Sequence, residues 1–173
     1  MNLLETARLA LRHLDLHDAE FIVELLNQET FLRHIGDKGV RSAADACAYL
    51  QQGPMDSYRR NGFGLYLTSL RGSEVPIGIC GLVKRSALPD PDIGFALLPR
   101  YCAKGYASEA AAAVLDHGRQ VLGLTRIVAI VSPGNHASAA VLEKIGLRYE
   151  RRIFLEGEGR ELKLFGPPAT VAG

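Results

Sequence analysis

Residues 99–110 read Pro99-Arg-Tyr-Cys-Ala-Lys-Gly-Tyr-Ala-Ser-Glu-Ala. An apolar run at 93–98 precedes them and an alanine-rich run at 106–122 follows, a strand–turn–helix pattern. The first N–H groups of a helix lack intrahelical partners, and the helix dipole makes that end partly positive. Such a turn can hold a phosphate. Gly105 lets the backbone approach an anion, Ala107 keeps the first turn free of bulk, and Lys104 adds a positive charge. A lone glycine here equally serves as plain turn chemistry. A second unit of the same kind follows, Ser132-Pro-Gly-Asn-His-Ala-Ser-Ala-Ala-Val-Leu-Glu-Lys-Ile-Gly-Leu147. In it Asn135 stands where a helix N-cap belongs, and Ser138, three residues on, can bond the same helix end.

Other elements must hold these two turns side by side. Residues 8–14 alternate as a half-buried strand does. Asp15 with Asp18, and Ser42 with Asp45, have capping-box spacing and predict helices over 15–28 and 42–52, the second interrupted by Gly53-Pro54. Residues 63–70 and 77–84 form a hairpin pattern across 71–74, and 147–155 and 160–165 form another across 156–159. Between them lie strands at 92–98 and 126–131, and a helix over 136–145 that ends at Gly146, a residue suited to the left-handed position after a helix. Hairpins imply antiparallel pairing. The strand–helix–strand unit over 92–131 implies one parallel pair. The expected fold is therefore α/β (α+β), a mixed, mostly antiparallel sheet flanked by helices, in one domain over 1–166 with a loose tail at 167–173.

At 173 residues, 47% hydrophobic and 23% charged, the chain has the composition of a globular domain with a real core. Its net charge of +1 provides no strong field for nucleic acid or anionic lipid, so neither is an expected partner. Cys47, Cys80 and Cys102 show no paired spacing, which suits a reducing compartment. No signal peptide or membrane-length apolar run is present, and a cytoplasmic location is the default. His13 and His17 are four apart, but Asp15 between them reads as a helix start and no Cys or acidic cluster completes a metal site, so none is expected.

Together the two turns resemble those of the GNAT superfamily of acetyl-CoA-dependent N-acetyltransferases, and most of all its Rim-type branch, which includes enzymes acting on ribosomal-protein N-termini. Residues 3–12 are similar to that branch's first strand, and Arg33-His-Ile-Gly-Asp-Lys-Gly-Val-Arg41 looks like a loop found in one of its subgroups. The family signature Gln/Arg-x-x-Gly-x-Gly/Ala falls on Cys102, Gly105 and Ala107, so its first position departs.

The resemblance implies that the sheet splays between the strands at 92–98 and 126–131 and that coenzyme A enters the gap. Its pyrophosphate would lie on Cys102, Ala103, Lys104, Gly105, Tyr106 and Ala107. Its pantetheine arm would bond the strand edge at Leu97 and Leu98 and meet Asn135 and Ser138. It also implies direct acetyl transfer to an amine, so Cys102 is not expected to be a nucleophile. Many relatives protonate the leaving thiolate with a tyrosine where this chain has Leu142; the Asn-x-x-Ser pattern makes Ser138 either that donor or a coenzyme contact.

Three carboxylates are candidates for the base: Asp92, where relatives often carry Glu, then Glu161, then Asp37. Ile35, Asp37 and Asp92 are expected at the acceptor. The acceptor itself stays open between a peptide or protein N-terminus and a small amine such as an amino acid, a polyamine or an aminoglycoside, on a monomer or a homodimer. The alternative is a non-catalytic acyl-CoA-binding sensor or scaffold of the same fold. A dinucleotide oxidoreductase does not fit: the turn has one glycine, lies past mid-chain and follows antiparallel signals.

Overall fold

A computed structural model describes residues 1–169. A short strand β1 (Leu4–Glu5) folds back on β2 (Leu9–His13). The Asp15 capping box forms, but around a single 3₁₀ turn, and α1 (Ala19–Leu26) starts only after it. Buried Asp18 is held there by both terminal nitrogens of Arg12 at 2.9 and 2.8 Å. Two helices escaped the sequence reading. One is α2 (Glu29–His34), too short for a periodic signal. The other is α4 (Pro54–Asn61), which follows α3 (Ala43–Gln52) directly: Gly53 ends one helix and starts the next, and Pro54 sits at the first helical position, where its missing N–H is harmless.

Strands β3 (Leu65–Leu70), β4 (Pro76–Val83) and β5 (Asp92–Leu97) then complete an antiparallel five-stranded sheet in the order β1-β2-β3-β4-β5. After α5 (Tyr106–Gln120) come β6 (Ala129–Val131), α6 (His136–Lys144), β7 (Arg148–Phe154) and β8 (Glu161–Gly166), which form a second sheet ordered β6-β8-β7. Strand β6 is shorter than the predicted 126–131 because β8 pairs only with its last three residues. Gly146 takes φ +98°, the left-handed value expected after α6. In the expected tail, 167–169 have no regular structure, and 170–173 lie outside the described residues.

The parallel pair is almost absent. Strands β5 and β6 touch through one bridge, Asp92 to Val128, with the Ile93 N–H on the Val128 carbonyl at 2.8 Å and the Val128 N–H on the Pro91 carbonyl at 3.0 Å. Beyond that point the two sheets part, as expected. Helix α5 covers one face of the large sheet, packing Ala110, Val114 and Leu115 on Leu9, Leu11, Ile77, Leu82 and Ile93. On the other face, α1 to α4 bury Ile22, Leu25, Phe31 and Leu50 against Leu67, Ile79 and Leu98. Strand alternation thus turns Ile93 toward α5, and Asp92 the other way.

Candidate active site

A cavity of about 1190 Å³ runs through the gap between the sheets. Its wall includes Leu97, Cys102, Ala103, Gly105 and Ala107 at one end and Asn135 and Ser138 on α6. It continues to Asp92 and to Ile35 behind α2. Sequence positions as far apart as 35 and 138 therefore share one space.

The turn before α5 combines left-handed backbone with an uncapped helix start. Gly105 adopts φ +83°, and Ala103 is also left-handed at +60°, an unfavoured state for a residue with a Cβ. No side chain caps α5, so its first amides lack a side-chain partner. A Cβ on Gly105 would meet only Arg8 Nη2, at 3.2 Å. Arg8 was not singled out in the sequence. Its guanidinium stacks over the Tyr106 ring at 4.4 Å, donates to the Lys104 carbonyl at 3.0 Å and pairs with Glu109 at 2.9 Å. Glu109 also accepts from the Thr6 hydroxyl and the Arg8 N–H. Burial pushes the Glu109 carboxyl up, but these bonds outweigh it and hold the group below its usual value. Lys104 and Tyr106, two of the expected contacts, do not line the cavity.

Hydrogen-bond parity corrects one expectation. The Leu98 N–H donates to the Ile77 carbonyl at 2.9 Å, its carbonyl accepts from Tyr101, and its side chain is fully buried under α1 and α3. Leu98 therefore has no free edge. Since Ile93 points its N–H at β6, alternation turns the backbone groups of Phe95 and Leu97 into the gap. The open edge of β5 therefore lies at Phe95 and Leu97, not at Leu98. This parity depends on register with β4, and no residue type announces it.

On α6, Asn135 Oδ1 accepts from the Ser138 N–H at 3.2 Å, the N-cap bond that its position suggested. The Ser138 hydroxyl has no partner among the described residues. Leu142 is buried in the core and carries no polar group. Cys102 is exposed, with its sulfur 3.7 Å from the Leu98 carbonyl, and desolvation by the neighbouring atoms pushes the thiol up, away from thiolate.

The three carboxylates separate. Asp92 is 1% exposed and paired with Arg85 Nε at 2.9 Å. Burial raises its pKa, and Arg85 opposes that rise without cancelling it. Glu161 is exposed, paired with Arg152 at 3.0 Å, and absent from the cavity wall. Asp37 is likewise outside it: Arg41 and the Gly39 N–H hold its carboxyl below the usual range. Neither of these two lines the cavity, and each already has an arginine partner. A residue missed in the sequence, His34, places Nδ1 3.2 Å from Ser132 Oγ across the cavity, and its carbonyl accepts from Arg160 at 2.8 Å. Among the described residues no group of three or more metal-ligating side chains occurs, and no helix is long and apolar enough to cross a membrane.

Comparison with known proteins gives the same picture. Residues 8–148 match the acetyltransferase (GNAT) domain family. An uncharacterized N-acetyltransferase of Bacillus subtilis, YnaD, is 32% identical over 145 residues, 84% of this chain and 82% of that one. An acetyltransferase structure from Agrobacterium tumefaciens superposes with a TM-score of 0.81 at 25% identity, covering 96% of this chain and 94% of its own. A ribosomal L7/L12 alpha-N-protein acetyltransferase in complex with coenzyme A has the same fold, with a TM-score of 0.81 at 18% identity, covering 96% and 97%. With splayed sheets, an uncapped glycine turn and a family match over most of its length, the chain belongs to the GNAT acetyltransferases, a family that uses acetyl-CoA.

Proposed function

We propose that the protein transfers the acetyl group of acetyl-CoA directly to an amine, with a Rim-type arrangement on α6. The observation that carries this is the continuous cavity from the α5 amides, past Ser138, to buried Asp92. The residues present suit the cosubstrate. The α5 amides take the pyrophosphate. The free edge of Phe95 and Leu97 bonds the pantetheine arm as an added strand, and Asn135 flanks it.

Asp92 receives a proton from the amine, directly or through water, and its raised pKa suits that task better than an ordinary carboxylate. The amine nitrogen then attacks the thioester carbonyl carbon; as the C–S bond breaks, the nitrogen gives its second proton to the departing thiolate sulfur, directly or through water, leaving amide and free thiol. The Ser138 hydroxyl donates a hydrogen bond to the departing thiolate; a serine is too weak an acid to do more. The Asn-x-x-Ser pattern at 135–138 supports the Rim-type reading of the site and says nothing of the acceptor.

The test is thiol release from acetyl-CoA across a panel of amino acids, polyamines, aminoglycosides and short peptides. Acetylation of any of them at catalytic rates supports enzyme action. Tight coenzyme A binding with no turnover on any amine would make the domain an acyl-CoA-binding module instead.

A further inference from the structure

The cavity has a charge of its own. Lys38, Arg60, Lys84, Arg85, Lys144 and Arg160 line it against only Asp56, Asp92 and Glu158. The whole chain carries just +1, so the wall concentrates positive charge. Coenzyme phosphates do not account for this: apart from Lys144, these cations come from the α2–α4 side, the end of β4 and the β7–β8 turn, not from the turn before α5.

All three carboxylates are already engaged. Asp92 and Glu158 face Arg85 at 2.9 and 3.8 Å, and Asp56 faces Arg60 at 3.4 Å. The remaining cations on the acceptor side meet no carboxylate. Lys84 Nζ donates only to the carbonyls of Arg85 and Leu88. Arg160 donates one nitrogen to the carbonyls of His34 and Ile35, at 2.8 and 3.4 Å, leaving the rest of its donor fork unused. Lys38, three residues beyond Ile35, has no hydrogen-bond or ion-pair partner among the described residues. Arg160 is thus anchored to the segment that leads into Lys38, and the two share one wall.

That wall would repel a polycation. It suits an amine that brings its own negative group, because a guanidinium fork binds a carboxylate with two parallel hydrogen bonds. On this wall the β7–β8 turn is tied to the end of β4 through Glu158 and Arg85, and to α2 through Arg160. Cross-ties of this kind hinder a protein terminus more than a small molecule.

We propose that the acceptor is a small amino acid whose carboxylate is held by Arg160 and Lys38 while its amine faces Asp92. This rests on the acetyl-transfer reading above. The experiment compares L-amino acids with their own α-amides, and with spermidine and a neutral tripeptide, by thiol release. An amide has the less basic and more available amine, so chance chemistry favours the amide. The expected result is kcat/KM at least tenfold higher for one or more acids than for their amides, a ratio that shrinks as salt rises from 0.05 to 0.5 M.

Arg160→Gln should lower that ratio about tenfold with an unchanged coenzyme A Kd, and Lys38→Gln, on an exposed loop, should lower it without risk to folding. Equal or better turnover of the amides, spermidine or the tripeptide overturns the proposal. A parallel measurement needs no turnover: calorimetry on the coenzyme A-loaded protein with N-acetyl amino acids and their amides. Tenfold tighter binding of the acids supports the proposal even if acetyl transfer fails, and equal binding overturns it even if transfer succeeds.

Discussion

Replacing Gly105 tests the proposed pyrophosphate contact most directly, and two substitutions separate backbone strain from charge. Gly105→Ala adds only a Cβ. The residue sits at φ +83°, so an L side chain there costs about 1 kcal/mol of stability. The added atom would lie 3.2 Å from Arg8 Nη2, a side-chain end that can shift. The melting temperature should fall by roughly 2–4 °C for a chain of this size. Gly105→Glu carries the same strain and adds a negative charge.

At about 5 Å from a pyrophosphate with two charges, that carboxylate is repelled by about 1.7 kcal/mol in a water-like dielectric, and by about 1 kcal/mol after screening at physiological salt. The protein boundary lowers the effective dielectric and brings the loss to at least ~1.4 kcal/mol, tenfold in Kd. Calorimetric titration of both variants with coenzyme A, at low and high salt, reads the difference, and thermal melts confirm that both are folded. If Gly105→Glu binds within twofold of Gly105→Ala at low salt, the pyrophosphate does not lie on this turn.

Further outcomes are expected at three other residues. Ser138→Ala should lower kcat with little change in acetyl-CoA binding, since its bond strengthens only as the thiolate forms; single-turnover kinetics separates the two. Burial raises the Asp92 pKa, so activity should rise with pH through a value above the ordinary carboxylate range, and Asp92→Asn should flatten that limb while Glu161→Gln and Asp37→Asn keep it. The sign for folding is opposite: the Asp92 contribution is greatest below its unfolded pKa and is lost as pH rises through the folded one, which acid-to-neutral denaturation curves would register. Cys102→Ala should keep most activity, and intact-mass spectra after acetyl-CoA alone should show no adduct, because the thiol is pushed up and lies by the Leu97 and Leu98 carbonyls.

Much of the scaffold could be read from spacing. The Asp15 and Ser42 capping boxes, the two hairpins and the glycine after α6 are local features, each settled by a few neighbouring residues. Helix α4 was readable too: Gly53-Pro54, read above only as a helix end, is as good a helix start. The site was harder, because its determinants are long-range. Asp92 was expected as a carboxylate at a strand start, but its burial follows from Arg85 and the single bridge to Val128. Glu161 and Asp37 ranked second and third as candidates, and their pairing with Arg152 and Arg41 has no signal in the sequence. The encounters of Arg8 with Tyr106 and Glu109, and of His34 with Ser132, join residues about a hundred positions apart. No periodicity encodes such meetings.

The single bridge between the two sheets also leaves a mark in time. In an ordinary sheet interior, every amide is slow to exchange with solvent deuterium. Here the N–H groups of Phe95 and Leu97 face an open seam, while those of Gly94, Ala96 and Leu98 are tied to β4 and that of Ile93 to Val128. Strand β5 therefore carries an alternating clock, fast at 95 and 97 and slow between them. A ligand threaded along the seam would stop the fast hands alone, and that two-residue rhythm would record its path without any chemistry taking place.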